Sequence, residues 1–233
     1  MTPEFDLPLV ILRTNRKKTV SIEVTPSNIK VSAPKHLSDR VITDFIIERS
    51  RWIEKNVQLQ LAQPKQIPRT WTDGEMFAYL GQEYALNVTR KSADMVEIGE
   101  GSLNVAIPFG TLELDEKNTV KSLVLAWYKQ KATKTLTAKS FCYSKLLKVE
   151  PTSVRVREYK SQWGSCSVSG VISYDWRIIM APLKVVDYLV VHELAHLLEH
   201  NHSQKYWKHV ETTIPNFREQ QSWLKLNARM LTI

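Results

Sequence analysis

The spacing of apolar residues divides this chain into stretches of strand period and stretches of helix period. From Leu7 to Pro34 the apolar and β-branched runs are short, Val10 to Arg13, Val20 to Val24 and Ile29 to Ser32, and the turn segments TNRKK and PSN separate them. They predict a small antiparallel meander. From Ser38 the period changes. Val41, Ile42, Phe45, Ile46, Trp52, Ile53 and Val57 recur mostly at three- and four-residue steps, which predicts one helix over about 38–63 with Ser38 as its cap.

The stretch PKQIP, Pro64 to Pro68, reads as a stiff linker, and beyond it TDG at Thr72 to Gly74, LGQ at Leu80 to Gln82 and GEG at Gly99 to Gly101 separate further short strands. A long amphipathic helix is predicted from about Asn118 to Leu147, with Val120, Leu123, Val124, Trp127 and Tyr128 on its apolar face. A boundary just before it gives a β-rich N-terminal region, 1–114, that carries one helix, and a C-terminal domain, 115–233. After Pro151, strand candidates Val154 to Tyr159 and Val171 to Trp176 flank SQWGSCSVSG and suggest a hairpin. Ala181 and Pro182 then open an apolar helix that runs through VVDYLVVHELAHLL, proline being suited to a first turn where no donor is needed. The fold class is α+β, with no internal repeat and no low-complexity segment.

Five of the six histidines lie between His192 and His209, and HELAH supplies the pattern H-E-x-x-H on the last of these helices. At 3.6 residues per turn, positions four apart face the same way about 6 Å apart along the axis, so His192 and His196 can reach one tetrahedral ion. Glu193 is displaced around the helix, near enough to act on a metal-activated water without being a ligand. The bland alternative buries two imidazoles and a carboxylate in an apolar helix, which costs several kcal/mol unless they are paired.

Structural zinc sites are usually closed by four ligands and often rich in cysteine, and this chain has only Cys142 and Cys166. One Zn2+ at a catalytic site is therefore the expected cofactor, with a third ligand to be found among His200, His202, His209 or a more distant acid. His200 would sit about 12 Å along a continuing helix from His192, too far to share an ion. If Asn201 ends the helix in a left-handed conformation, His202 can swing back to the metal and Ser203 can start the next helix, so His202 is the expected ligand.

Composition changes this picture little. The chain of 233 residues is 43% apolar, enough to bury a substantial core. Two cysteines cannot make a disulfide framework, MTPEFDLPLV lacks the flank of a secretory signal, and no stretch reaches the roughly 18–20 apolar residues of a membrane span. A cytoplasmic protein with no membrane partner is expected. The net charge of +8 is compatible with contact to nucleic acid, although the basic residues are scattered as on an ordinary solvated surface.

The run from SQWGSCS at Ser161 to Ser167, through YDWRIIMAP at Tyr174 to Pro182, to VVHELAHLLEHNHSQKYW ending at Trp207 resembles the YgjP-like metallopeptidases, relatives of the SprT-like zinc proteases. RWIEKN at Arg51 to Asn56 and AWYKQKA at Ala126 to Ala132 look like the same family. The resemblance implies a zincin-like catalytic half with a small sheet whose edge aligns a polypeptide substrate. It also implies zinc on His192, His196 and His202, with Glu193 as catalytic acid and base. Gly is wanted where this chain has Glu199 in the metzincin signature, so that analogy is poorer.

On this reading the hairpin around Trp163 to Ser173 borders the cleft, with Trp163, Arg177 and Tyr206 as candidate substrate contacts, although Trp163 is equally a core residue. Tyr159, Arg157, Arg177 and Tyr206 are candidates to steady an oxyanion. Cys166 reads as a small buried cysteine rather than a gating thiolate. The expected function is peptide-bond hydrolysis. The runner-up is a nucleic-acid-associated protein, or a DNA-stimulated protease, that uses its basic surface.

Overall fold

The structure, a computed structural model, describes residues 4–62 and 68–233. The linker expected at Pro64 to Pro68 lies, but for Pro68, outside the described residues. The chain divides into two compact units, 1–65 and 66–233.

The first unit holds strands β1 (Leu9–Thr14), β2 (Ser21–Val24) and β3 (Ile29–Pro34) and helices α1 (Asp39–Glu48) and α2 (Ser50–Ala62). The strands do not form the expected meander. β3 lies in the middle, parallel to β1 and antiparallel to β2. Burial explains the order: Ile29, Val31 and Ala33 are fully buried, while Val10, Ile11 and Leu12 of β1 are exposed, so the apolar strand takes the centre and β1 an edge. The single helix expected over 38–63 is two, broken at Arg49, where φ is −99° and ψ 6°. Ser38 occupies the cap position without a side-chain hydrogen bond. Ile42, Ile46, Ile53 and Val57 of the two helices close a small core against β3.

The second unit begins with a four-stranded mixed sheet of β4 (Met76–Tyr79), β5 (Gln82–Lys91), β6 (Met95–Ile98) and β7 (Ser102–Pro108), in the order β4-β5-β7-β6. Helix α3 (Glu113–Leu147) follows, starting about one turn before Asn118, with Glu113, Asp115 and Glu116 favourably placed at its positive end. Its buried residues run from Val120 to Ser144, and Lys148 ends it in a left-handed conformation.

The boundary expected at 114/115 falls inside this unit. The Tyr128 hydroxyl donates to the Ala78 carbonyl at 2.7 Å, and the Leu80 amide donates to the Ile179 carbonyl at 2.8 Å. Gly81, at φ +83°, comes so close to Pro182 that a Cβ would lie 2.7 Å from its Cα. One apolar core therefore runs from Phe77, Leu86 and Leu103 through Val124 and Trp127 to the C-terminal helices.

Strands β8 (Ser153–Arg157), β9 (Gly164–Cys166) and β10 (Val171–Asp175) form the last sheet, in the order β8-β10-β9. The two strands expected to pair as a hairpin, β8 and β10, are parallel, and the hairpin is made by β9 and β10. Its turn is set by Gly170 at φ +79° and by the Ser167 hydroxyl, which accepts from the Val171 amide at 3.0 Å. A 3-10 segment, Trp176–Met180, leads to α4 (Leu183–Ala195), followed by α5 (Gln204–Thr213) and α6 (Phe217–Asn227). The architecture is α+β. No helix of the described residues is long and apolar enough to cross a membrane.

Candidate metal centre

Helix α4 is the rigid support of the site. Val185, Val186, Val190, Val191, Leu194 and Ala195 are fully or almost fully buried, so the helix cannot turn without breaking the core; burying such side chains is worth roughly 1.5–3 kcal/mol each. It ends sooner than the sequence suggests. Ala195 is its last residue, His196 is its cap, and a tight turn through Leu198 follows. Asn201 is not left-handed, since the described non-glycine residues with positive φ are Trp71, Leu80 and Lys148. The early end does what the left-handed cap was expected to do: it lets the chain fold back so that His202 faces His192.

The Nε2 atoms of His192 and His202 lie 3.3 Å apart. Candidate ligand atoms of His192, His196 and His202 all fall within 4.8 Å of one another. Two imidazoles bound tetrahedrally at about 2.0–2.1 Å would have nitrogens about 3.3–3.4 Å apart, so the observed approach of His192 and His202 fits two ligands of one ion. The Nδ1 of His196 is 3.2 Å from the Glu199 carbonyl, which assigns it the proton and leaves the Nε2 lone pair facing the cluster. Burial, and then the neighbouring His196 and His202, push the pKa of His192 down to about 3. Burial likewise lowers that of His196, with His202 and His200 adding to it against the pull of the Glu199 carbonyl. Neutral imidazoles are what a divalent cation requires.

Ring contacts hold this geometry. Ser203 caps α5 by accepting from the Tyr206 amide at 3.3 Å, and α5 then brings Tyr206 and Trp207 against the histidines. His202 stacks on Trp207, with centroids 5.4 Å apart and planes 24° from parallel, and Trp207 stacks on Phe217 of α6 at 5.1 Å and 13°. Tyr188 of α4 packs beside His192, its hydroxyl 3.5 Å from Nδ1.

Glu193 is 4% exposed, and burial raises its pKa to about 8. Burial, and after it the Glu193 carboxylate, push the Cys166 thiol up, so this half-buried residue packed against the core is a poor thiolate.

A family model described as the YgjP-like metallopeptidase domain matches residues 18–227. The chain belongs to the YgjP-like metallopeptidases. No curated protein matches the chain. Among solved structures, it is similar to the crystal structure of the metallopeptidase zymogen abylysin from Pyrococcus abyssi, with 25% identity over 37% of this chain and 87% of that one. The TM-score of 0.34 marks a loose overlap.

His200 and His209 stand outside the three-histidine cluster. Trp163 is half-buried against the main core and borders a cavity of about 240 Å³ that Tyr159, Lys160, Arg177 and Arg229 also line. Arg177 is engaged by the buried Asp175, whose carboxylate takes its Nε at 2.8 Å, and it also donates to the Tyr159 carbonyl.

Tyr206 cannot meet a substrate, because it is fully buried and its hydroxyl donates to the His192 carbonyl at 2.8 Å. It is a brace for a histidine, and its full burial could not be read from a segment whose other aromatic, Trp207, is only partly buried. Tyr206→Phe is expected to cost about 1 kcal/mol of stability in urea unfolding. It should also weaken binding of a divalent metal ion by up to about tenfold in a competition titration with a chromophoric chelator.

Proposed function

We propose that this metallopeptidase is zinc-dependent, that His192, His196 and His202 hold the single ion, and that Glu193 is the general base for hydrolysis of a polypeptide. The observation that carries the reading is the convergence of three imidazoles, two of them 3.3 Å apart at Nε2, beside the helix that also carries a buried glutamate. Zinc held there would supply Lewis acidity, lowering the pKa of water from about 15.7 towards 7 and polarising a carbonyl.

The chain's own groups do the rest. The positive charge of a bound cation would favour Glu193 as a carboxylate, which accepts the proton of the attacking water on an oxygen and returns it to the nitrogen of the leaving amine. Its burial keeps bulk water from competing for that proton. β9 is an edge strand of its sheet and borders Glu193, so its backbone can pair with an extended substrate in a way that tolerates many sequences. Two unpaired cysteines suit a reducing compartment such as the cytoplasm.

Chelation tests the reading. Treatment with 1,10-phenanthroline should abolish cleavage of unfolded casein, and stoichiometric zinc should restore it. Zinc at about 100 times its Kd should also stabilise the fold by about 2.7 kcal/mol, seen as a raised Tm. Full cleavage after verified removal of metal would refute the proposal.

A further inference from the structure

A strand residue with no side chain sits where the proposed base needs room. A Cβ built on Gly164 would lie 2.5 Å from Oε1, 2.8 Å from Cδ and 2.8 Å from Cγ of Glu193. Real contacts of this kind essentially never fall under 3.0 Å. Because Cγ is involved as well as the carboxylate, rotating the end of the side chain would not relieve the overlap.

Neither side of the contact can withdraw. Gly164 pairs with Tyr174 of β10, which is fully buried, and the Tyr174 hydroxyl is 3.0 Å from that of the buried Ser140 on α3. On one flank the Asp175 amide donates to the Trp163 carbonyl at 2.7 Å, and on the other the Ser165 hydroxyl lies 2.6 Å from that of Tyr159. On the opposite side, Val190, Leu194 and Ala195 fix α4 in the core. An added methyl group can therefore be accommodated only by moving the Glu193 side chain.

We infer that Gly164 is a positioning residue: the bare backbone of β9 at this point forms the wall against which the Glu193 carboxylate is set, and any side chain there displaces the base while leaving the histidine cluster intact. Gly164 is not required for its backbone conformation. Its φ lies outside the left-handed region, so alanine there carries no torsional penalty and by itself would slightly favour folding.

The inference rests on the proposed role of Glu193 for its catalytic consequence, but not for the contact itself, and the test separates the two. Gly164→Ala should keep one zinc per chain with an affinity within a few-fold of the parent, keep KM for a casein-derived peptide, and lower kcat by about a hundredfold, the usual result of misplacing a reacting group by about 1 Å. The same change is then made in a Glu193→Ala background and both pairs are melted with zinc bound. In the parent, Gly164→Ala should lower Tm by about 3 °C or more, and in the Glu193→Ala background it should be neutral or raise Tm, since the atoms it strikes are gone.

Equal destabilisation in both backgrounds, or failure of both to fold, would place the conflict elsewhere and overturn the inference. Failure of the single variant with recovery in the double would support it. If the thermal coupling is present but Glu193→Gln retains turnover, the contact stands and the general-base role is what fails.

Discussion

Glu193→Gln is expected to lower kcat/KM for an unfolded protein substrate by at least about a hundredfold, and by up to about 10⁴, while leaving the metal content equal to that of the parent. The substitution preserves the length and planarity of the side chain, so it fits the space that Gly164 leaves and keeps the packing of α4. What it removes is the ability of the side chain to accept and return a proton. Stability should not suffer. Glu193 is buried, and no described hydrogen bond supports it there, so a neutral amide of the same shape adds no buried charge. A Tm equal to or above that of the parent, unchanged metal content and lost turnover together would identify a chemical role. Undiminished turnover would remove Glu193 from the mechanism.

The parts of this site that could be read from the sequence were those that depend on local spacing. His192 and His196 are four residues apart on a helix, and helix geometry is the same wherever a helix occurs, so their juxtaposition followed from the pattern. His202 was legible in part. The argument needed only that the helix stop and the chain return, and it named the wrong device, a left-handed Asn201, when the helix ends at Ala195. The α+β class and the buried face of α3 were legible for the same local reason.

What depended on pairing between distant segments was less accessible. β1 joins β3 in parallel, which puts β3 with its buried Ile29, Val31 and Ala33 in the centre of the sheet, and no periodicity within Leu9–Thr14 says so. β9 intrudes between β8 and the turn into β10, and its three residues are too few to show an alternation. The helix break at Arg49 left only a faint trace, the six-residue step from Ile46 to Trp52 in a series otherwise mostly of threes and fours. Gly164 left a faint one: an isolated glycine in a strand often marks the close approach of another group, but not which group. The expected boundary at 114/115 followed a real change of period from strand to helix. A change of period is not an end of core, and the contact of Gly81 with Pro182 shows that the two parts share one.

The second large effect is expected at the third histidine. In metal analysis of purified variants, His192→Ala and His202→Ala should each weaken zinc binding by more than about a hundredfold, beyond what the loss of a supporting hydrogen bond causes. His200→Ala should retain one ion per chain. The contrast is informative because His200 and His202 are close in sequence and both exposed, so any general effect of losing a charged or polar ring from this loop would strike them alike. Their surroundings differ. His202 is stacked on Trp207 and faces the Nε2 of His192 at 3.3 Å, whereas His200 lies outside the cluster. Because His202 is on the surface and outside the apolar core, its truncation should leave the far-ultraviolet circular dichroism of the metal-free protein unchanged, and loss of zinc could not then be blamed on unfolding. Tight zinc binding by His202→Ala, with loss in His200→Ala, would transfer the third ligand to His200. It would also mean that the turn after Ala195 rearranges around the ion, because only a new path for residues 196–201 could bring that ring to the place His202 now holds.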